Sequence, residues 1–502
     1  MKTDVLIIGA GGAGLMAAIA AKEEGADVLV LTKEYPTRSQ TCMAQGGMNA
    51  ALGNAGEDSV EEHIQNTLKS AHGEADEEAI RFMCSEAPAA IEYLDSIGVC
   101  FSRTQEGKVA QRRLGGASAP RACYAQDYTG LKILHTLYDR CNALGIKFVS
   151  DTFLLELLKD EEGKVCGAKV LDIRSGEIKT YIAKSVVLAT GGYSRIYDHY
   201  STNSKASSGD GIAAALRAGA KLKHMEFVQF HPTGLKNSSI LISESARGEG
   251  GYLLNSKGER FTDELAPRDQ VSRAIDAEIK KGEDIFLDIR HLGEDFIDEG
   301  LPQERKLAKL YEDVDPVHDL IPIKPVAHYT MGGVAVDNKS QTDIEGLFAC
   351  GECANHNVHG GNRLGGNSLL EIVVFGREAG RNAASRAKEL GSLSVPVLNE
   401  CFLDQEFGNT VDFYKYKEKI GNLLYEKVGI VRKRSELEYA LDEIKMIKSL
   451  LPQMGWSDNS EVYNTNKQEF LEFRNIVELS EVVVQSALQR DASCGAHYME
   501  AE

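Results

Sequence analysis

The chain has 502 residues, 43% of them hydrophobic and 26% charged, with a formal net charge of −19. That length is more than one hydrophobic core serves, so roughly two to four domains are expected, and the acidic balance argues against a nucleic-acid binder. An anionic substrate would need a locally basic pocket. No window approaches the roughly 18 to 20 uninterrupted apolar residues of a membrane span. The first predicted strand begins at residue 4, which predicts no leader ahead of the fold and a cytoplasmic chain. Ten scattered cysteines read as reduced thiols rather than a disulfide framework. The one CxxC, Cys350 to Cys353, has no second pair to complete a tetrahedral site, so no metal is expected.

The first predicted unit runs from Asp4 to Thr32, DVLIIGAGGAGLMAAIAAKEEGADVLVLT. An apolar run, Val5 to Ile8, breaks into Gly9, Gly11 and Gly14, passes into an Ala-rich helical pattern and returns as Val28 to Leu31. Strand, glycine turn, helix and strand in this order make a dinucleotide site. Gly9 permits the tight turn, Gly11 lets backbone N–H groups reach a pyrophosphate, and Gly14 lets helix and strand pack closely.

Residues 35 to 54 have neither helical nor strand period, and Gly46 and Gly47 allow backbone to approach a ligand. Residues 59 to 97 carry helical periodicity through Ile64, Leu68, Ile80, Met83, Ile91 and Leu94. From 145 to 189 the period becomes that of short strands ending in Ala189-Thr190-Gly191-Gly192, and Ser208 to Gly211 opens a helix over 212–218. From 230 to 329 the pattern is mixed, with GYLLNSKGERF as a hairpin and GEDIFLDIRH as a strand. Gly346 to Glu352 reads as a last strand returning to the nucleotide unit, so an insertion divides that unit and leaves a cleft at the junction. Beyond 387, charged Leu-spaced segments at 411–425, 433–450 and 467–490 predict helices, and there are no internal repeats.

Taken together, GAGGAG, PTRSQT, AQGGMNAALGN, FSRTQEGK, ATGG, EFVQFHPTG, RGEGG, APRDQVSRA, AHYTMGG, GECA, HGGNRLGGNSL and SALQRDASCGAH resemble the flavoprotein subunit of succinate dehydrogenase and fumarate reductase. The resemblance spans nearly the whole chain. It implies an α/β fold: a Rossmann-like FAD-binding domain at 1–229 and 330–386, interrupted by an α+β capping domain at 230–329 and followed by a C-terminal helical domain at 387–502. It also implies fumarate–succinate interconversion by hydride exchange with flavin N5, and an iron–sulfur partner subunit with a further electron-transfer or membrane-attached subunit. The chain itself supplies no cluster ligands and no span.

Carried onto matching positions, the dicarboxylate-binding groups fall on His231, Ser243, His328 and Arg363, and the proton donor on Arg268, with Glu244 and Arg247 as its relay. A guanidinium pairs bidentately with a carboxylate, and imidazole N–H groups can hold the other end. Read alone, Arg268 would be a surface ion pair with Asp269. The cofactor-binding positions are Gly9, Ala10, Gly11, Gly12, Ala13, Gly14, Thr32 and Lys33; Ser39, Gln40, Thr41, Ala44, Gln45, Gly46 and Gly47; Ala189, Thr190, Gly191 and Asp210; and Glu352, Arg363, Ser368 and Leu369.

Two departures stand out. The family's RSHT carries a histidine that bonds covalently to FAD, whereas this chain has Arg38-Ser39-Gln40-Thr41, which implies non-covalent FAD. The family's usual Phe before Gly-Gly is Leu114 here, which loosens that wall. The main alternative is L-aspartate oxidase, which shares ELAPRD, LDIRH and HYTMGG-like runs. A FAD-binding module without turnover would require a missing catalytic position, yet His231, Arg268, His328 and Arg363 are all present.

Overall fold

Strand Lys2–Ile8 pairs in parallel with Val28–Leu31 on one side and with Ile178–Leu188 on the other. Its run Val5 to Ile8 is buried throughout, as a strand covered on both faces must be. The computed structural model describes residues 1–397, 403 and 407–501. Residues 398–402, 404–406 and 502 of the expected helical domain lie outside the described residues.

The main sheet has the order Lys147–Val149, Val28–Leu31, Lys2–Ile8, Ile178–Leu188, Val165–Asp172, Thr152–Lys159. The long strand Ile178–Leu188 joins its two parts. Its first half pairs antiparallel with Val165–Asp172, and further along Val186 to Leu188 take Leu347–Ala349 as a parallel neighbour on that edge. The returning strand thus ends beside the glycine turn.

Helix Gly12–Glu23 follows the turn and packs along helix Asn367–Glu389. The approach is close because Gly376 and Gly380, four residues apart, share one helical face. A methyl group on Gly380 would lie 2.1 Å from the carbonyl oxygen of Ala17.

Between the two nucleotide-binding parts stands a four-stranded antiparallel sheet in the order Val228–Leu235, Ile321–Thr330, Ile285–Asp288, Tyr252–Leu254. Helix Arg268–Lys280 packs on it through Val271 and Ile275, which share a separate core with Leu253, Ile285, Leu287, Ile321 and Ile323. The C-terminal helices Phe413–Lys427, Arg434–Leu450 and Thr465–Gln489 bury Ile420, Leu437, Ile444, Phe470 and Val484 in one core with the antiparallel strands of the main sheet.

Three local expectations change. The periodic stretch 59–97 is two helices, Val60–Ser70 and Glu77–Ser96, because Gly73 at φ +80° breaks the path and the Asp76 side chain caps the second. Helix Thr129–Ala143, buried through Ile133, Leu134 and Leu137, was not foreseen. The expected hairpin at Tyr252 closes through only a single bridge, Leu254 to Arg260, since Tyr252–Leu254 pairs instead with Ile285–Asp288.

Candidate active site

One continuous cavity runs from the glycine turn to the inserted sheet, and every expected cofactor residue except Gly14 lines it. Gly14 lies beneath, where a Cβ would sit 2.0 Å from the carbonyl oxygen of Gly9. Gly9 has φ +111°, and a Cβ there would come within 2.1 Å of the carbonyl oxygen of Ala189, so both positions require glycine. Helix Gly12–Glu23 has no side-chain N-cap, and the Gly12 N–H donates to Thr41 Oγ1 at 3.0 Å. Around this end Ser39 Oγ, Gln45 Oε1 and Thr190 Oγ1 are buried without partners. A positive helix terminus among orphaned polar atoms fits a phosphate-bearing nucleotide such as FAD.

Not every side chain in the cradle is spare. The Lys33 ammonium bonds Asp210 Oδ2 at 2.6 Å, Glu472 Oε1 at 2.8 Å, Ser208 Oγ and the carbonyl of Ala206. Asp210 Oδ1 takes Ser208 Oγ and Asn475 Nδ2. Gln40 Oε1 accepts from the N–H of Ser204 at 2.7 Å. Glu352 Oε1 takes the N–H and hydroxyl of Thr330, yet burial pushes this carboxyl up to about 7.

At the other end of the cavity His231, Ser243, Glu244, Arg268, His328 and Arg363 converge, with Leu114 on the wall. The N–H of Thr233 donates to His231 Nδ1 at 3.2 Å, which places the proton of the neutral ring on Nε2. His328 Nδ1 lies 2.8 Å from Thr202 Oγ1, and the two rings meet edge to face at 4.8 Å. Burial, together with nearby Arg268 and Arg363, holds both imidazoles well below the ordinary histidine range, so they are neutral donors or acceptors. Ser243 Oγ accepts from both the N–H and the hydroxyl of Ser245, which leaves its own O–H free.

Arg268 opens helix Arg268–Lys280 and is buried. Its Nε donates to Glu244 Oε2 at 3.0 Å, its Nη2 bonds the same oxygen, and its Nη1 donates to Gln229 Oε1 at 3.1 Å. Asp269 is not its partner; that carboxylate pairs with Arg273 at 2.8 Å and His72 at 3.4 Å. Glu244 Oε1 accepts from the N–H of Gly115 and stands 3.7 Å from Arg247 Nη2. Burial pushes Glu244 up, but Arg268 and Arg247 outweigh it, so the carboxyl stays below its usual value and ionised. Arg247 is wholly buried behind it, outside the cavity lining, with Nη1 donating to the carbonyl of Glu264 at 2.6 Å. The structure therefore brings Arg268, Glu244 and Arg247 into one chain of contacts.

Arg363 differs from these. Among the described residues its guanidinium has no carboxylate within ion-pair distance, and Nε is buried without a partner. Burial, with Arg268 nearby, lowers it to about 10. With Glu244 committed to two arginines, this end of the cavity is cationic and suits a small dianion.

Sequence reasoning missed Gln229, whose Nε2 donates to the carbonyl of Arg363 at 2.8 Å while its oxygen holds Arg268. A signal existed: two residues before His231 on a strand, it belongs on the same face. Thr202 had no such signal. Cys350 and Cys353 are buried thiols, the latter donating to the carbonyls of Leu188 and Cys350. Among the described residues no group of three or more His, Cys, Asp or Glu side chains is placed to hold a metal, and no helix is long and apolar enough to cross a membrane.

Comparison with known proteins matches residues 4–369 to the FAD binding domain family and residues 417–501 to the fumarate reductase flavoprotein C-terminal family. The succinate dehydrogenase flavoprotein subunit of Rickettsia felis is 40% identical, over 99% of this chain and 90% of the relative. The 8-methylmenaquinol:fumarate reductase flavoprotein subunit of Wolinella succinogenes is also 40% identical, over 99% and 85%. A quinol fumarate reductase structure from E. coli superposes with TM-score 0.94 at 35% identity, covering 100% of this chain and 92% of that one. These relatives do not favour the L-aspartate oxidase alternative.

Proposed function

We propose, for a chain that belongs to the flavoprotein-subunit family of succinate dehydrogenases and fumarate reductases, that it interconverts fumarate and succinate as the FAD-bearing subunit of a larger assembly. The observation that carries this reading is Arg363, a buried guanidinium with no counter-ion among the described residues, which lines one cavity with Arg268, His231 and His328. A planar carboxylate supplies the missing anion bidentately. The Nε2–H of His231, the free hydroxyl of Ser243 and the His328 ring reach the second carboxylate. Holding both ends fixes the central carbons and excludes water, so that charge developing in the transition state faces donors already in place.

FAD, when bound, supplies the hydride donor and acceptor. Arg268 delivers the proton to the adjacent carbon and takes its replacement from Glu244, which Arg247 supports from behind. An arginine can act here because Glu244, resting as a carboxylate at contact distance, can take up a proton arriving along the relay and pass it to Arg268 as the arginine's own proton leaves for the substrate carbon. FAD is retained without a covalent bond, since a glutamine amide at position 40 cannot form one. Electrons are exchanged with an iron–sulfur partner, joined by a further electron-transfer or membrane-attached subunit, and the chain works in the cytoplasm.

The test is turnover of the FAD-loaded chain, measured with succinate and L-aspartate side by side using an artificial acceptor, and with fumarate using an artificial donor. Succinate and fumarate should turn over and aspartate should not; faster aspartate oxidation would overturn the reading. Arg268→Ala should lower fumarate reduction by more than about 10²-fold at unchanged FAD content. A variant that keeps more than about a tenth of wild-type turnover removes Arg268 from the proton step.

A further inference from the structure

Arg363 must be held in one orientation, yet the groups that usually hold a buried arginine are missing. Its guanidinium has no ion pair among the described residues, and a long side chain loses rotamer entropy when fixed. What it does have is a face: the guanidinium carbon lies 4.2 Å from the centroid of the Tyr329 ring. That ring is fixed in turn. The Tyr329 hydroxyl donates to Glu371 Oε2, His359 Nε2 lies 2.9 Å from the same oxygen, and the ring of His359 stands edge-on to the tyrosine at 5.4 Å. All three residues are buried, and none belongs to the expected site.

The arrangement has a chemical logic. A carboxylate beside Arg363 would neutralise it and compete with an incoming anion. An aromatic face attracts the cation while leaving every N–H unspent. A phenol that donates to a carboxylate carries more electron density, which strengthens that attraction.

We propose that Tyr329 is the positioning residue of Arg363, anchored by Glu371 and His359, and that it keeps the guanidinium's charge and N–H groups available for one substrate carboxylate. The inference rests on the dicarboxylate reading above. It is tested on the FAD-loaded protein with malonate, a dicarboxylate that cannot turn over, titrated against the flavin absorbance of wild type, Tyr329→Phe and Tyr329→Leu, together with KM and kcat for fumarate.

Tyr329→Leu removes the face, so malonate Kd and fumarate KM should rise about thirty-fold, the scale of a desolvated cation–aromatic contact, while kcat moves less than about threefold. Tyr329→Phe keeps the face but loses the anchoring hydroxyl, so its malonate Kd should rise by less than that of Tyr329→Leu. An unchanged malonate Kd in Tyr329→Leu, or a loss confined to kcat, overturns the proposal. Should Tyr329→Leu fail to retain FAD, Glu371→Gln carries the test, because it loosens only the anchor: a raised malonate Kd supports the proposal and an unchanged one overturns it. A wild-type chain that binds no malonate overturns the dicarboxylate reading itself, an outcome separated from the others by that control.

Discussion

Two cations line the same cavity, Lys33 half-buried and Arg363 buried, and are treated in opposite ways. Lys33 has two carboxylates within 2.8 Å, from Asp210 and from Glu472 of the last helix. Burial pulls its ammonium down, but these two anions more than reverse that, and it stays charged. Arg363 is more fully enclosed and, among the described residues, has no carboxylate within ion-pair distance; what it meets is an aromatic face. Burying an unpaired charge is costly, and proteins seldom retain one without use. The contrast separates a cation that ties the nucleotide unit to the C-terminal helices from one left open for a ligand.

Paired substitutions would break this comparison if it is mistaken. Lys33→Met strands Asp210 and Glu472 in the interior and should lower stability by about 3–5 kcal/mol in chemical denaturation. Arg363→Met removes a buried charge that has no ion-pair partner among the described residues, so stability should hold or rise. It should also lose the increase in unfolding midpoint that a dicarboxylate confers on wild type. Equal destabilisation by the two substitutions would mean that Arg363 is structural after all.

Glu352 sharpens the comparison from the acidic side, as a buried carboxyl with hydrogen bonds but no cation bonded to it. Its pKa is raised from 4.5 to about 7 by burial. Between those values the native state holds a proton that the unfolded state has released, so stability must fall as pH rises through this window and level off above it. The span corresponds to at most about 3 kcal/mol. Glu352→Gln should flatten that slope in midpoint-against-pH measurements on the cofactor-free chain. A slope that survives the substitution assigns the titration elsewhere.

Much of this architecture was legible in the sequence because local chemistry demanded it. Gly9 and Gly14 stand where a Cβ would strike backbone, and the Leu-spaced segments near 411, 433 and 467 became helices within a few residues of their expected ends. The break at Gly73 was missed because the apolar residues on either side of it both recur at helical spacing, and spacing alone does not mark where one helix stops and the next begins. Helix Thr129–Ala143 carries Ile133, Leu134, Leu137 and Cys141 at helical spacing, a signal that was there to read. Of the site, residues in dense motifs could be named. The contacts that position them could not, since Lys33 meets Glu472 across 439 residues and Tyr329 meets Glu371 across 42, and neither pair leaves a local pattern.

The smallest effect expected concerns Gln40, which belongs with the compensated region. Its Oε1 holds the N–H of Ser204, and a little further along the same loop Ala206 and Ser208 hold the Lys33 ammonium. Gln40→Ala should therefore cost only about 1 kcal/mol, the value of one hydrogen bond, and leave dicarboxylate binding at the Arg363 end unchanged. Because an amide is a poor nucleophile, the cofactor should depend on the folded cradle alone, so acid precipitation should carry yellow flavin into the supernatant. A flavin without the electron-withdrawing covalent link should also titrate at a lower reduction potential than the same chain with one, which favours fumarate reduction over succinate oxidation. Flavin fluorescence that stays with the denatured polypeptide on a gel would show that another residue makes the bond. The step from Gln40 to a low potential would then fail, while the contrast between Lys33 and Arg363 would stand, because neither of those contacts depends on how the cofactor is attached.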